Sequence, residues 1–186
     1  MIKHNLAMLV GYGGAGKSSS TKAFVNMLDD YNKSYLLLAP TGRAAKVLSG
    51  YIEKEAMTIH RGLGFYPGHG WLYNEEHPLM YDVVIVDEFS MVDIFLFRHL
   101  LEAIDFNRTK LLLIGDDAQI PSVGAGNVLY DLLCYNKIPT ITLNKIFRYG
   151  KGGLSTIATD TRESKEYLDK SKSGMQVFGN AQSYIF

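Results

Sequence analysis

Residues 6–19 read LAMLVGYGGAGKSS. An apolar run breaks into a glycine-rich turn, and the turn closes with Lys-Ser-Ser ahead of an amphipathic stretch. The pattern G-x-x-x-x-G-K-S over Gly11–Ser18, set between a strand and a helix, is that of a phosphate-binding loop. Gly11, Gly13, Gly14 and Gly16 let backbone amides approach and wrap phosphates, and the amino end of the next helix adds a favourable dipole. Gly13, Gly14, Ala15, Gly16, Lys17, Ser18 and Ser19 are therefore the expected nucleotide contacts. Lys17 would reach the β- and γ-phosphates, and Ser18 would hold magnesium.

Outward from this stretch, short apolar runs alternate with longer amphipathic ones. Strands are expected at 6–10, 35–39, 83–87, 110–114 and 139–143. Helices are expected at 17–30, 42–50, about 91–104, and through NVLYDLLCY from Asn127. This alternation implies an α/β fold whose mostly parallel sheet is flanked by helices, and near-continuous apolar strands fit a sheet covered on both faces. The helix near 91–104 opens with a Ser-x-x-Asp cap at Ser90–Asp93 and aligns Val92, Phe95, Leu96, His99, Leu100 and Ala103 on one face. Residues 62–80 break the pattern. They are rich in Gly, Pro and aromatics, and GFYP and WLYN around GHG predict a small β-hairpin insertion. No repeat or low-complexity tract divides the chain, so residues 1–186 are expected to form one domain. Residues 154–174 are polar and compatible with a helix, and SYIF at 183–186 with a last short strand.

The bulk numbers exclude more than they assign. With 47% hydrophobic and 20% charged residues, the 186-residue chain has an ordinary globular composition. Its 19 basic and 19 acidic residues cancel, so net charge gives no support for nucleic-acid binding and leaves a local basic patch as the only route. One cysteine, Cys134, forbids an intramolecular disulfide and is expected as a buried thiol on an apolar helix face. The apolar run near Met1 is too short to span a membrane, so no membrane partner and a cytoplasmic location are expected.

In open parallel sheets, ligands bind outside the carboxyl ends of the strands. The strand at 83–87 delivers Asp87, placed to bind magnesium, and Glu88, placed to orient and deprotonate an attacking water. The strand at 110–114 delivers Asp116 and Gln119, whose amide would touch the γ-phosphate and so report hydrolysis. The strand at 35–39 delivers PTGRAAK, with Thr41 as a helix cap and Arg43 and Lys46 beside it. Those cations suit a phosphate backbone, ATP's or DNA's, and equally suit a solvated helix face.

Together the segments resemble the first RecA-like motor domain of superfamily 1 DNA helicases, in the RecD/TraA-like branch. GYGGAGKSS resembles motif I, LLLAPTGRAAKVLS motif Ia, and AMTIHRGLGF the Thr-Ile-His-Arg segment after it. VVIVDEFSMVD resembles motif II, LLLIGDDAQIPSVGAGNVLYDLL motif III, and ITLNKIFRYG motif IV. The resemblance covers about residues 6–150. It implies a P-loop NTPase that uses ATP and Mg²⁺ to move 5′ to 3′ along single-stranded DNA, in repair, recombination or related DNA processing. It implies catalytic roles for Lys17, Asp87, Glu88, Gln119 and Arg148, with Arg148 stabilising charge on the transferring phosphoryl group. It also puts Thr41, Arg43, His60 and Arg61 along the DNA path. For His60 a hydrogen-bonded core position stands as the alternative. The resemblance sets residues 65–75 where the branch carries a strand-separating pin. Trp71 or Tyr73 would there stack on a base, or else simply anchor the hairpin.

The resemblance stops after motif IV. The second RecA-like domain is thus expected outside this chain, which should be a monomer that hydrolyses ATP weakly alone. The glutamine motif that reads adenine upstream of the phosphate loop has no counterpart here. A small P-loop kinase and a non-catalytic nucleotide-dependent switch are the competing readings. Glu88 and the Gln119 motif speak against the first, Glu88 and Arg148 against the second.

Overall fold

A computed structural model of the protein describes residues 3–144, 161 and 165. Arg148, the helix-compatible stretch at 154–174 (apart from residues 161 and 165) and SYIF lie outside the described residues.

Strand β1 (Leu6–Gly11) leads into α1 (Lys17–Asp30), and β2 (Tyr35–Ala39) into α2 (Gly42–Ile52). A short strand, β3 (Ala56–Thr58), runs directly into a single helical turn, α3 (Ile59–Gly62). The hairpin strands β4 (Phe65–Tyr66) and β5 (Gly70–Trp71) follow, then β6 (Val83–Val86), α4 (Ile94–Glu102), β7 (Lys110–Gly115), α5 (Val128–Tyr135) and β8 (Thr140–Leu143). Six strands form one parallel sheet in the order β3-β2-β6-β7-β1-β8.

Because side chains alternate across a strand, each of the four central strands β1, β2, β6 and β7 feeds two cores. Met8, Val10, Leu36, Leu38, Val84, Val86, Leu111 and Leu113 share one cluster with residues of α3, α4 and α5. Ala7, Leu9, Leu37, Val83, Ile85, Leu112 and Ile114 share the other with Val25 and Leu28 of α1 and Leu48 and Ile52 of α2. Helices therefore cover both faces, which is why the central strands read as unbroken apolar runs.

At the β1–β8 seam the two strands approach closely. Gly11 pairs with Leu143, and a Cβ at Gly11 would sit 2.8 Å from both the Cβ and the carbonyl oxygen of Leu143. Gly11→Ala is expected to destabilise the fold by about 1–3 kcal/mol, the usual cost of overpacking a close contact. A urea melt reads this directly, and an unchanged midpoint would show that β8 yields without cost.

Three features depart from the sequence expectations. The helix expected from about residue 91 starts at Ile94, after a 3₁₀ turn over Phe89–Met91. Its cap is Asp93, whose side chain accepts the Leu96 amide at 2.8 Å, and Ser90 instead lies buried in the turn. Val92, Leu96, Leu100 and Ala103 are buried as expected, but Phe97 packs inward beside them and Phe95 stands 65% exposed. Cys134 is exposed. Val128 and Leu129 are the buried residues of α5, and at about 100° per residue a position five further on has turned well away from them. Finally, β3 was not anticipated. Its three residues pair with β2 through Leu37–Ala56, Leu38–Met57 and Ala39–Thr58, a span too short to show a period.

Candidate nucleotide-binding site

The loop between β1 and α1 takes its shape from glycines at positive φ, Gly14 at 85° and Gly16 at 96°. Only glycine adopts such angles readily. The Ala15 amide donates to the Tyr12 carbonyl at 2.9 Å and closes the turn. Gly16 stands at the N-cap of α1 with no side-chain cap, so the first amides of the helix have no intrahelical partner and face the loop. The Lys17 ammonium folds back over this loop. It donates to the carbonyls of Gly11 at 2.5 Å and Tyr12 at 3.3 Å, and lies 3.7 Å from Asp116 Oδ2.

Asp116 is the residue whose part the sequence left unassigned. It is 1% exposed at the end of β7, which neighbours β1 in the sheet. One of its oxygens accepts the Ala118 amide at 3.1 Å, and the other accepts Gln119 Nε2 at 3.4 Å besides facing Lys17. It thereby joins the phosphate-loop lysine to the glutamine of the following loop. The Gly-Asp-x-x-Gln spacing carries this signal, but only the β1–β7 adjacency reveals the partner.

One strand further on, β6 ends in Asp87 and Glu88. Burial holds the Asp87 carboxyl up at about 6, with the Glu88 charge adding to the rise; the Glu88 backbone amide and the Lys17 charge oppose it. Glu88 sits in the left-handed region at φ 52°, and its Oε2 is buried without a hydrogen-bond partner. A destabilised carboxylate beside an unsatisfied one is what a hard divalent cation and a water would relieve. The oxygen donors Ser18 and Asp87 fit Mg²⁺ in kind, and the glycine loop with its free amides fits phosphate. Ser18 is exposed at the start of α1. The Ser19 hydroxyl meets Tyr51 Oη at 2.8 Å, which leaves its amide as the group available to a nucleotide.

The expected DNA residues fall on a separate part of the same strand-end surface. Thr41 caps α2 by accepting the Ala44 amide at 3.2 Å, and Arg43 and Lys46 are exposed on that helix. Lys46 and Arg61 share a groove of about 540 Å³ between α2 and the β3–α3 segment. His60 is exposed rather than in the core, and its ring stacks on Trp71 at 5.4 Å. Trp71 and Tyr73 both pack against the core cluster and so anchor the hairpin. Among the described residues no cluster of His, Cys, Asp and Glu could hold a metal by protein ligands alone, and no helix is long and apolar enough to cross a membrane.

Residues 1–125 match the AAA domain family. Over 145 residues the chain is 39% identical to the ATP-dependent RecD2 DNA helicase of Deinococcus radiodurans, covering 78% of this chain and 20% of that protein. It is 32% identical to the RecBCD enzyme subunit RecD of Haemophilus influenzae, covering 70% of this chain and 24% of the relative. The chain thus spans a fifth to a quarter of these curated relatives. Among solved structures, the Pif1 helicase of Candida albicans superposes with a TM-score of 0.60 at 24% identity, over 87% of this chain and 41% of that one. A Bacteroides Pif1 helicase in complex with ADP-AlF3 and single-stranded DNA gives 0.57 at 21%, over 88% and 43%. At such identities the structural likeness establishes the RecA-like P-loop fold.

Proposed function

Because the chain belongs to the AAA domain family, as a RecD-like superfamily 1 motor domain, we propose that it binds and hydrolyses ATP to drive 5′ to 3′ translocation on single-stranded DNA, acting with a second RecA-like domain. The observation that carries this is the Lys17–Asp116–Gln119 connection, which links the phosphate loop to a residue able to sense the third phosphate.

In this reading Lys17 exchanges the Gly11 and Tyr12 carbonyls for phosphate oxygens. The amides of Gly13 to Ser19 line the phosphates, and Ser18 and Asp87 hold magnesium. Mg²⁺ held there would supply positive charge that offsets the charge of the phosphates. Glu88 accepts a proton from the attacking water. Gln119, already tied to Asp116, turns its amide toward the γ-phosphate. Arg148 completes the charge stabilisation, worth about 10³–10⁵ in rate for arginines in such positions. Thr41, Arg43, His60 and Arg61 meet the DNA strand, chiefly through its phosphates.

The test is ATP hydrolysis with and without a single-stranded oligonucleotide. Slow turnover is expected of this chain alone, and marked DNA stimulation once the second motor domain is present. Hydrolysis by that longer protein with no response to DNA would overturn the reading.

A further inference from the structure

Helix α4 touches the nucleotide edge at one end and the hairpin at the other. At its amino end the Ile94 amide donates to the Ala125 carbonyl at 3.0 Å, within the loop that Asp116 and Gln119 begin. A Cβ at Gly124 would collide with the Asp93 side chain, and one at Gly126 would lie 3.3 Å from the Ile94 Cβ. Loop and helix are therefore in close contact and cannot shift past each other freely. At the other end, His99 stacks on Trp71 of β5 with ring centres 4.5 Å apart and planes 27° apart. Trp71 also stacks on His60 of α3 at 5.4 Å, and Phe65 of β4 leans on it at 4.7 Å. The His99 ring is itself held. Its Nδ1 is 3.0 Å from Glu102 Oε2, and Arg98 Nε donates to Glu102 Oε1 at 2.6 Å.

We propose that α4 is the mechanical link between the nucleotide edge and the β4–β5 hairpin, with His99 as the positioning residue that keeps Trp71 in step with the helix. The proposal rests on the nucleotide reading above. A change in the Gln119 loop presses on the amino end of α4, and a helix transmits displacement along its axis because its backbone hydrogen bonds run that way. The stack converts that displacement into a movement of β5. Trp71, stacked on two imidazoles, is the coupling element of the hairpin rather than a surface for a base. Packing contacts of this kind carry coupling only where they have two arrangements, which makes the claim experimental.

Trp71 is the single tryptophan of the chain, so its fluorescence reports this junction alone. The wavelength and intensity of indole emission follow the packing of the ring and its exposure to water. The full chain is titrated with magnesium-ADP and with a magnesium complex of a non-hydrolysable ATP analogue, and binding of each is measured separately by equilibrium dialysis. Emission is expected to differ between the two complexes. His99→Ala should abolish the difference while both nucleotides still bind, and His99→Phe, which restores a stacking ring, should recover it. Glu102→Gln spares the ring, removes its charged partner with little risk to the fold, and should shrink the difference. Equal emission in the two wild-type complexes despite binding would overturn this link and leave the nucleotide reading intact, as would an undiminished difference in His99→Ala or Glu102→Gln. Failure of either nucleotide to bind would sink both.

Discussion

Glu88→Gln is expected to lower ATP turnover by about 10²–10⁴-fold, the usual contribution of a positioned general base, while nucleotide remains bound. Two unfavourable features meet at this residue. Its backbone lies at φ 52°, a strained setting for a side chain larger than glycine, at about 1–3 kcal/mol. Its Oε2 is buried with no hydrogen-bond partner, which costs about 1–3 kcal/mol more. A fold that tolerates both is holding a carboxylate in place for something other than stability. Glutamine keeps the shape and removes the proton acceptor, so binding and turnover should separate. Turnover at the wild-type rate would remove Glu88 from the chemistry and leave the general base to another group.

The parts of this protein that could be read in advance are those where several local signals coincide. The segment from β1 through the glycine loop to α1 announces itself three ways: an apolar run, a fixed glycine spacing and an amphipathic sequel. Strands β6 and β7 are legible because helices on both faces force continuous apolar runs. Lys17, Asp87 and Glu88 follow from their positions at those strand ends. What stayed hidden depends on neighbours in space. Asp116 meets Lys17 because β7 lies beside β1, yet the two strands are separated in the chain by most of the domain. The stack of His60, Trp71 and His99 draws one ring from each of three elements, and no spacing encodes it. The start of α4 was misplaced because Ser90–Asp93 offers two capping residues. The choice between them is made by Phe89, which is wholly buried and turns the chain before the helix begins.

Asp87→Asn should have opposite effects on stability and on magnesium binding. Burial keeps the Asp87 carboxyl at about 6 in the folded protein, against 3.8 for the free side chain. The charged form is therefore disfavoured by folding, and the penalty is complete above pH 6, where the carboxylate is ionised in both states. It fades as pH falls from 6 and vanishes below about 4, where the group is protonated whether folded or not. At 1.36 kcal/mol for each pH unit of displacement the penalty is at most about 3 kcal/mol. In EDTA at pH 8, Asp87→Asn should accordingly melt several degrees above the wild type, at about 2–4 °C per kcal/mol. The two curves should converge toward pH 4. The acidic groups held below their ordinary range, Asp29, Asp82 and Glu102, contribute equally to both proteins and cancel from the comparison. Magnesium and nucleotide should reverse the ranking. A ligand at a hundred times its Kd adds about 2.7 kcal/mol to the protein that binds it, and the asparagine variant, short of one anionic ligand, should gain far less. A variant that melts below the wild type in EDTA at pH 8 would mean that the Asp87 carboxylate stabilises the fold, and its assignment as a site maintained for a cation would fail.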